Sequence, residues 1–391
     1  MTTSHDMILP APWRAADAGS FAAHTVLSRL PAIARRVLHE AALAPAMAHA
    51  IGGLLAEMPH RCLTPIEDIA ADVPGWNAAL APYAADDWLT APWFLVETYF
   101  YRRLAAIAGW FAGGPDVFAL QKARGLSGVA PALARLLAEL GHGDAALSRA
   151  LLAALWGNRA DLSLWPLDAP AAPGPAAVAA DAAALLCDDR AVVVAWLRAN
   201  AGHVILIADN AGLELACDLV LCDLLLTCGI ASSLTIALKA FPTFVSDATI
   251  PDALRTIALL ADAADPATAR VGRRLAHALA CGRLQLDVDA FWTSPLAAWQ
   301  APHVLRRALD GAVLVIVKGD ANYRRLLGDR RWSATTPFAA VPPLAAAPLV
   351  ALRTCKSEVV VGLVPGQAEA LDAAATDWRT SGVHGMIQWR G

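Results

Sequence analysis

The chain has 391 residues, 57% of them hydrophobic and only 17% charged, with a formal net charge of −4. Such a length suits two domains or one large domain with an appendage, and a pI near 6.2 excludes a broadly basic face for nucleic acid. The positive mean hydropathy comes mainly from alanine, and the charge-free run between Asp223 and Lys239 is broken by Thr227, Gly229, Ser232, Ser233 and Thr235, short of the ~18 apolar residues of a spanning helix.

In chain order, Met1 to Asp6 has no basic segment leading into an apolar core, so no signal peptide is expected. Seven scattered cysteines, an odd number, predict reduced thiols and a cytoplasmic protein. Apolar residues recur at helical spacing over Leu30–Ala50, Trp93–Phe111 and Ala130–Trp156. The Asp-Ala-Pro-Ala-Ala-Pro-Gly-Pro stretch at 168–175 reads as a linker. Beyond it, His203–Ala208, Leu234–Leu238, Leu284–Val288, Ala312–Val317 and Leu349–Leu352 are short apolar runs separated by helical segments. Buried strands alternating with helices predict a mostly parallel sheet covered on both faces. The expected architecture is α/β: an all-helical N-terminal domain over 1–167, the linker, and a Rossmann-like three-layer α/β/α domain over 176–391.

In open parallel sheets ligands bind beyond the carboxyl ends of the strands. One strand here runs into Asp209-Asn210-Ala211-Gly212, the next into Lys239 and then Phe241 to Asp247. A later one runs into Lys318-Gly319-Asp320-Ala321-Asn322-Tyr323-Arg324 and the last into Arg353-Thr354-Cys355-Lys356. Carboxylate and amide oxygens suit hard divalent cations, and Lys and Arg suit phosphate oxygens. Singly, each of these residues also fits a helix cap, a turn or a solvated side chain. Their coincidence at four strand ends predicts metal-assisted handling of a phosphate.

Asp-Asn-Ala-Gly-x-Glu-Leu, Phe-Pro-Thr-Phe-Val-Ser-Asp, Lys-Gly-Asp-x-Asn-Tyr-Arg and Arg-Thr-x-Lys, in that order, resemble the metal-dependent damage-control phosphatase family. The closer resemblance is to its branch of acidic-residue methyltransferase-like sugar-phosphate phosphatases. Gly19 to Ala22, Arg29 to Ile33, Pro92 to Arg103 and Leu155 to Ser163 carry the likeness into the helical half. The resemblance implies a divalent metal (Mn²⁺ first, with Mg²⁺, Co²⁺ or Ni²⁺ as alternatives) held by Asp209, Asn210 and Asp247. It implies phosphomonoester hydrolysis of a small metabolite such as fructose 1-phosphate or fructose 6-phosphate. Asp209 and Asp247 would serve catalysis beside the metal, Lys318, Arg353 and Lys356 would stabilise phosphoryl charge, and Asp320 and Asn322 would lie on the substrate side. Arg353, Thr354, Cys355, Lys356 and Ser357 would contact substrate, and Glu97, Arg102, Asn158 and Asp161 would close the pocket over a sugar. One departure stands out: where the family shows Ser/Thr-Gly-Lys-aromatic-Gly before its final strand, this chain has Ser381-Gly382-Val383-His384-Gly385.

The resemblance leaves two other functions open, an S-adenosylmethionine-dependent carboxyl methyltransferase and an inactive sugar-phosphate binder. The first strand end lacks a Gly-rich loop of the kind that cofactor uses. Gly141 to Ala146 fits a loose dinucleotide pattern but follows a helical run, not a strand. Cys217, Cys222 and Cys228 lack zinc-pair spacing and read as buried helix residues. Asp218 fits a supporting role near the site and Asp223 a structural one. The Arg-Arg pairs, Arg273-Arg274 among them, read mostly as solvated helix faces. Neither nucleic acid nor membrane is expected as a partner, and the oligomeric state is left open.

Overall fold

The computed structural model describes residues 8–41, 43–157 and 184–391. Asn158, Asp161 and the expected linker at 168–175 lie outside the described residues.

Each long helical run is cut where backbone chemistry demands it. Leu30–Glu40 stops, and the helix resumes as Pro45–Glu57, because Ala44 before the proline is held extended. Val129–Glu139 and Gly143–Trp156 are separated by Gly141 and Gly143, both at positive φ. The loose dinucleotide pattern is therefore a helix-to-helix turn. Trp93–Ile107 ends before Gly109 at φ 70°.

The sheet has seven strands: β1 Leu185–Asp188, β2 Gly202–Ile207, β3 Ala231–Leu238, β4 Leu284–Val288, β5 Leu314–Lys318, β6 Leu349–Thr354 and β7 Gly385–Arg390. Their order is β1-β7-β6-β5-β2-β3-β4, parallel throughout except where β7 runs antiparallel to β6. The five expected strands lie within a few residues of their runs. β1 was not expected, since its four residues are only half-buried or exposed and form too weak an apolar run.

The central strands are buried on both faces, and alternate residues enter different cores. Val204, Leu206, Leu314 and Ile316 face one layer, while Ile205, Ile207, Val315 and Val317 face the other. The helix Leu213–Thr227 is apolar nearly all round because it lies between the sheet and other helices. Packing departs from the expected 1–167 helical unit: residues 129–156 join the core of the sheet, whereas residues 15–118 form a separate helical core. Phe241 and Val245, from the segment after β3, plug into that helical core.

Buried ion pairs join the helical core to the sheet domain. Lys122 Nζ donates to Asp252 Oδ2 at 2.8 Å and lies 2.9 Å from Asp116. Arg324 bridges Glu97 (2.5 Å) and Asp329 (2.9 Å) while stacked 3.6 Å over the Trp93 ring. All seven cysteines are free thiols, though Cys228 is exposed rather than buried. Among the described residues no helix is long and apolar enough to cross a membrane.

The Lys122 pair has a defined pH window. Burial works against both charges, but mutual attraction and the Thr249 hydrogen bonds outweigh it, so Asp252 titrates below its usual 3.8 and Lys122 above its usual 10.5. The contribution of Asp252 is therefore present above 3.8 and lost as pH falls through its lowered value. That of Lys122 is present below 10.5 and lost as pH rises through its raised value. Replacing Lys122→Met strands two carboxylates, and urea unfolding at pH 7 should show a loss of about 3–5 kcal/mol.

Candidate active site

The carboxyl ends of β6, β5, β2 and β3 stand side by side, with the chain leaving β2 toward β3 on one flank and β5 arriving on the other. That is the switch point at which open α/β sheets bind ligands. Asp209 and Asn210 follow β2, and Gly212 at φ 79° turns the chain into the helix Leu213–Thr227. A side chain at Gly212 would meet the Gly125 carbonyl at 3.0 Å.

Asp247 reaches the same place by a strained route. Phe244 and Val245 both have positive φ, 47° and 70°, the latter an outlier for a β-branched residue. Packing holds the strain: Val245 is buried in the helical core, and Phe244 lies 5.1 Å from Tyr101 and 6.3 Å from Phe94. Beyond this turn Asn210 and Asp247 form an isolated antiparallel bridge. Ala211 N donates to Ser246 O and Ala248 N to Asp209 O, each at 2.7 Å. The three expected metal-ligand residues are thus locked together, each about 5% exposed or less.

Their side chains are set by polar neighbours. Asn210 Nδ2 donates to Asp209 Oδ2 (2.9 Å) and Glu214 Oε2 (2.8 Å), and its Oδ1 accepts from Ser246 Oγ at 2.6 Å. That amide oxygen keeps a second lone pair. Lys239 Nζ lies 3.0 Å from Asp247 Oδ2 and 3.0 Å from Asn322 Oδ1. Among the described residues no three His, Cys, Asp or Glu side chains converge as a metal cluster. The available set is two carboxylates and an amide, which fits a hard divalent ion that keeps water in part of its shell.

Lys318 and Arg353 were expected to meet phosphate, and the geometry turns both inward. Lys318, with no exposure, donates to Glu214 Oε1 (2.7 Å) and Ala154 O (2.6 Å) and sits 3.2 Å from Asp218 Oδ1. Its ammonium thus makes two hydrogen bonds and one further ion pair inside the protein. Burial opposes its charge, but Asp218 and Glu214 more than compensate and hold it protonated. Burial pushes the Asp218 carboxyl above the usual range despite Lys318. Arg353, also fully buried, donates to Asp320 Oδ1 (2.7 Å), Ser357 Oγ and O (3.0 Å each) and the Val359 carbonyl. It shapes the loop rather than reaching out of it.

The other expected residues divide similarly. Asp320 accepts from Arg353, from Lys356 N (3.2 Å) and from Ser357 Oγ (3.0 Å), anchoring that loop. Asn322 Nδ2 ties Ala208 O (3.0 Å) to Lys318 O (2.9 Å), bracing the ends of β2 and β5. The buried Cys355 thiol is pushed up to about 11 by burial, chiefly, so it is no thiolate at neutral pH. Thr354 is fully buried, and its hydroxyl has no hydrogen-bond partner among the described residues. Lys356, 8% exposed, is the cation of the motif that comes nearest the surface. Glu97 is engaged by Arg324. Arg102 fills its fork with Asp68 and Asp72 through four bonds of 2.6–2.9 Å and stacks on Phe111, so it braces the helical layer. The departing segment lies against the same loop: Cys355 N donates to His384 O, and Gly382 N to Cys355 O. Val383 there is 54% exposed.

Glu214 and Lys239 were not assigned roles from sequence. Glu214 was visible only as a position in the Asp-Asn-Ala-Gly-x-Glu string, one helical turn from Asn210, and Lys239 only as the residue after β3.

The tightest steric demand in the site falls on Gly319. At φ 82°, its missing Cβ would lie 1.9 Å from Asp209 Oδ2. Gly319→Ala should displace the Asp209 carboxylate and cost about 1–3 kcal/mol from the backbone alone, measurable by urea unfolding.

Comparison with known proteins agrees with these motifs. The damage-control phosphatase ARMT1-like domain matches residues 25–371. Damage-control phosphatase ARMT1 of Homo sapiens is 29% identical over 98% of this chain and 99% of its own length. That of Xenopus tropicalis is 33% identical over 83% of this chain and 82% of its own. A DUF89 family protein of Pyrococcus horikoshii, of known structure, aligns over 86% of this chain and 92% of its own, at 16% identity and a TM-score of 0.49.

Proposed function

We propose that this chain, which belongs to the ARMT1-like damage-control phosphatase family, is a metal-dependent phosphomonoesterase that removes phosphate from small sugar phosphates such as fructose 1-phosphate and fructose 6-phosphate. The observation that carries this reading is the Asn210–Asp247 bridge, which brings two carboxylates and an amide to one point at the switch of the sheet.

Asp209, Asn210 and Asp247 would hold the divalent ion, Mn²⁺ by preference, with Mg²⁺, Co²⁺ or Ni²⁺ as alternatives. When bound, the ion supplies Lewis-acid polarisation of the phosphoryl group and a more acidic water. The chain's own part is positioning. Gly319 leaves room for the Asp209 carboxylate, and Lys239 and Lys318 temper the local negative charge without competing for substrate. Thr354 Oγ and Lys356 Nζ are the donors for phosphate oxygens, held on a loop whose shape is set by Arg353 and Asp320. The exposed Val383 beside that loop replaces a family lysine, so a cation is lost at the substrate's rim and the preference among sugar phosphates should differ from that of relatives.

Phosphate release from a sugar-phosphate panel tests the proposal. Mn²⁺ should restore turnover to chelator-treated protein, and Asp209→Ala should lower kcat by at least about 100-fold, the scale of ~3 kcal/mol of lost transition-state stabilisation. Lys356→Met should mainly raise KM. Metal-independent turnover, or full activity in Asp209→Ala, would overturn it.

A further inference from the structure

A second concavity, with arginines around an apolar floor, lies at the other end of the helix Leu213–Thr227, about 20 Å from Glu214 by the helical rise. It is a groove of about 450 Å³ lined by Arg270, Arg273, Arg274, His277 and Arg283, with Leu226 and Ala278 among its apolar residues. Arg270, Arg273, Arg274 and His277 are spaced i, i+3, i+4 and i+7 on the helix Pro266–Ala280, so they form one stripe. Arg283 enters from beyond the helix with its guanidinium donating to the Ser232, Leu226 and Ala231 carbonyls at 3.2–3.4 Å, so it adds charge to the groove while Arg270 and Arg273 supply the open forks.

The charge here is not balanced internally. Asp223 pairs with Arg274, but among the described residues no carboxylate pairs with Arg270, Arg273 or Arg283. Like charges on adjacent turns repel, and only His277 lies in the last turn, where the helix dipole rewards a cation. A solubilising face would mix signs. In a chain of net charge −4, a cationic concavity is conspicuous.

We propose that this groove is a binding site for a small metabolite carrying two or more phosphate groups, of nucleotide size, separate from the hydrolytic site. Guanidinium forks match phosphate oxygens in pairs, and the volume lies within the range of small-molecule sites. The Leu226 and Ala278 surface takes the ligand's less polar body. The helix Leu213–Thr227 also carries Glu214 and Asp218, the partners of Lys318, which gives an occupant a rigid connection to the active site.

Calorimetry on the whole chain without added metal, using tripolyphosphate and ATP as probes, decides the matter. Saturable binding of both probes should survive in Asp209→Ala and weaken by at least about tenfold in Arg270→Gln/Arg273→Gln, which removes two charge-assisted contacts. Both arginines are exposed and, among the described residues, pair with no carboxylate, so the urea midpoint of that variant should match the parent and separate lost binding from lost folding. Three results would overturn the proposal. These are no saturable binding by the parent up to about 10 mM, unchanged affinity in the double variant, and tighter binding of a glutamate-rich peptide than of either probe. Because the readout is binding, it stands or falls independently of turnover.

Discussion

A buried ammonium organises this molecule. Lys318 closes β5 with no access to water and must find three acceptors inside the protein. It finds Glu214 and Asp218 on the helix after β2, and Ala154 O on a helix that precedes the sheet in sequence. One side chain thus joins three segments directly beneath the strand ends. The second carboxylate is the costly partner, since burial raises its pKa. The same group that compensates the lysine lies on the helix whose first turn presents Glu214 to Asn210. Support for the lysine and orientation of the amide are therefore one arrangement.

Above that base the site is a problem of close approach. Asp209 and the backbone of Gly319 occupy neighbouring strand ends, where any side chain at 319 would overlap the carboxylate. Asp247 is brought to the same spot by two residues at positive φ, neither of them glycine. The helical layer holds that strain by burying Val245 and packing aromatic rings around Phe244. Its contribution to the site is mechanical: it fixes the loop that delivers an acid. Arg102 and Arg324, each forked between two carboxylates and stacked on an aromatic ring, keep the layer itself in place.

Much of this was legible in the sequence. Apolar runs marked five of seven strands, four of them largely buried and the edge strand β4 by its alternating Leu284, Leu286 and Val288, and the strand-end rule singled out Asp209, Asn210, Asp247 and the Arg353–Ser357 segment as candidates. β1 was missed because a half-buried edge strand carries little apolar signal. The packing of residues 129–156 was not legible because helical periodicity says that a face is buried, not against what. Residues 129–156 have the same pattern whether they pack on helices or on the sheet.

The sequence by itself determined the fold class, the order of its elements and which strand ends carry charge, since these follow from local periodicity and residue chemistry. Tertiary structure alone decided which charges are turned inward onto other groups of the protein. Lys318 and Arg353 look like phosphate ligands along the chain, but folding surrounds them with acceptors, and a cation so occupied acts as a strut. From the same short motif, Lys356 lies nearer the surface, and the Thr354 hydroxyl has no hydrogen-bond partner among the described residues. The hydrogen-bond acceptors of Lys318 lie 104 and 164 positions away and the Asp320 partner of Arg353 lies 33 away, and no spacing rule encodes such contacts.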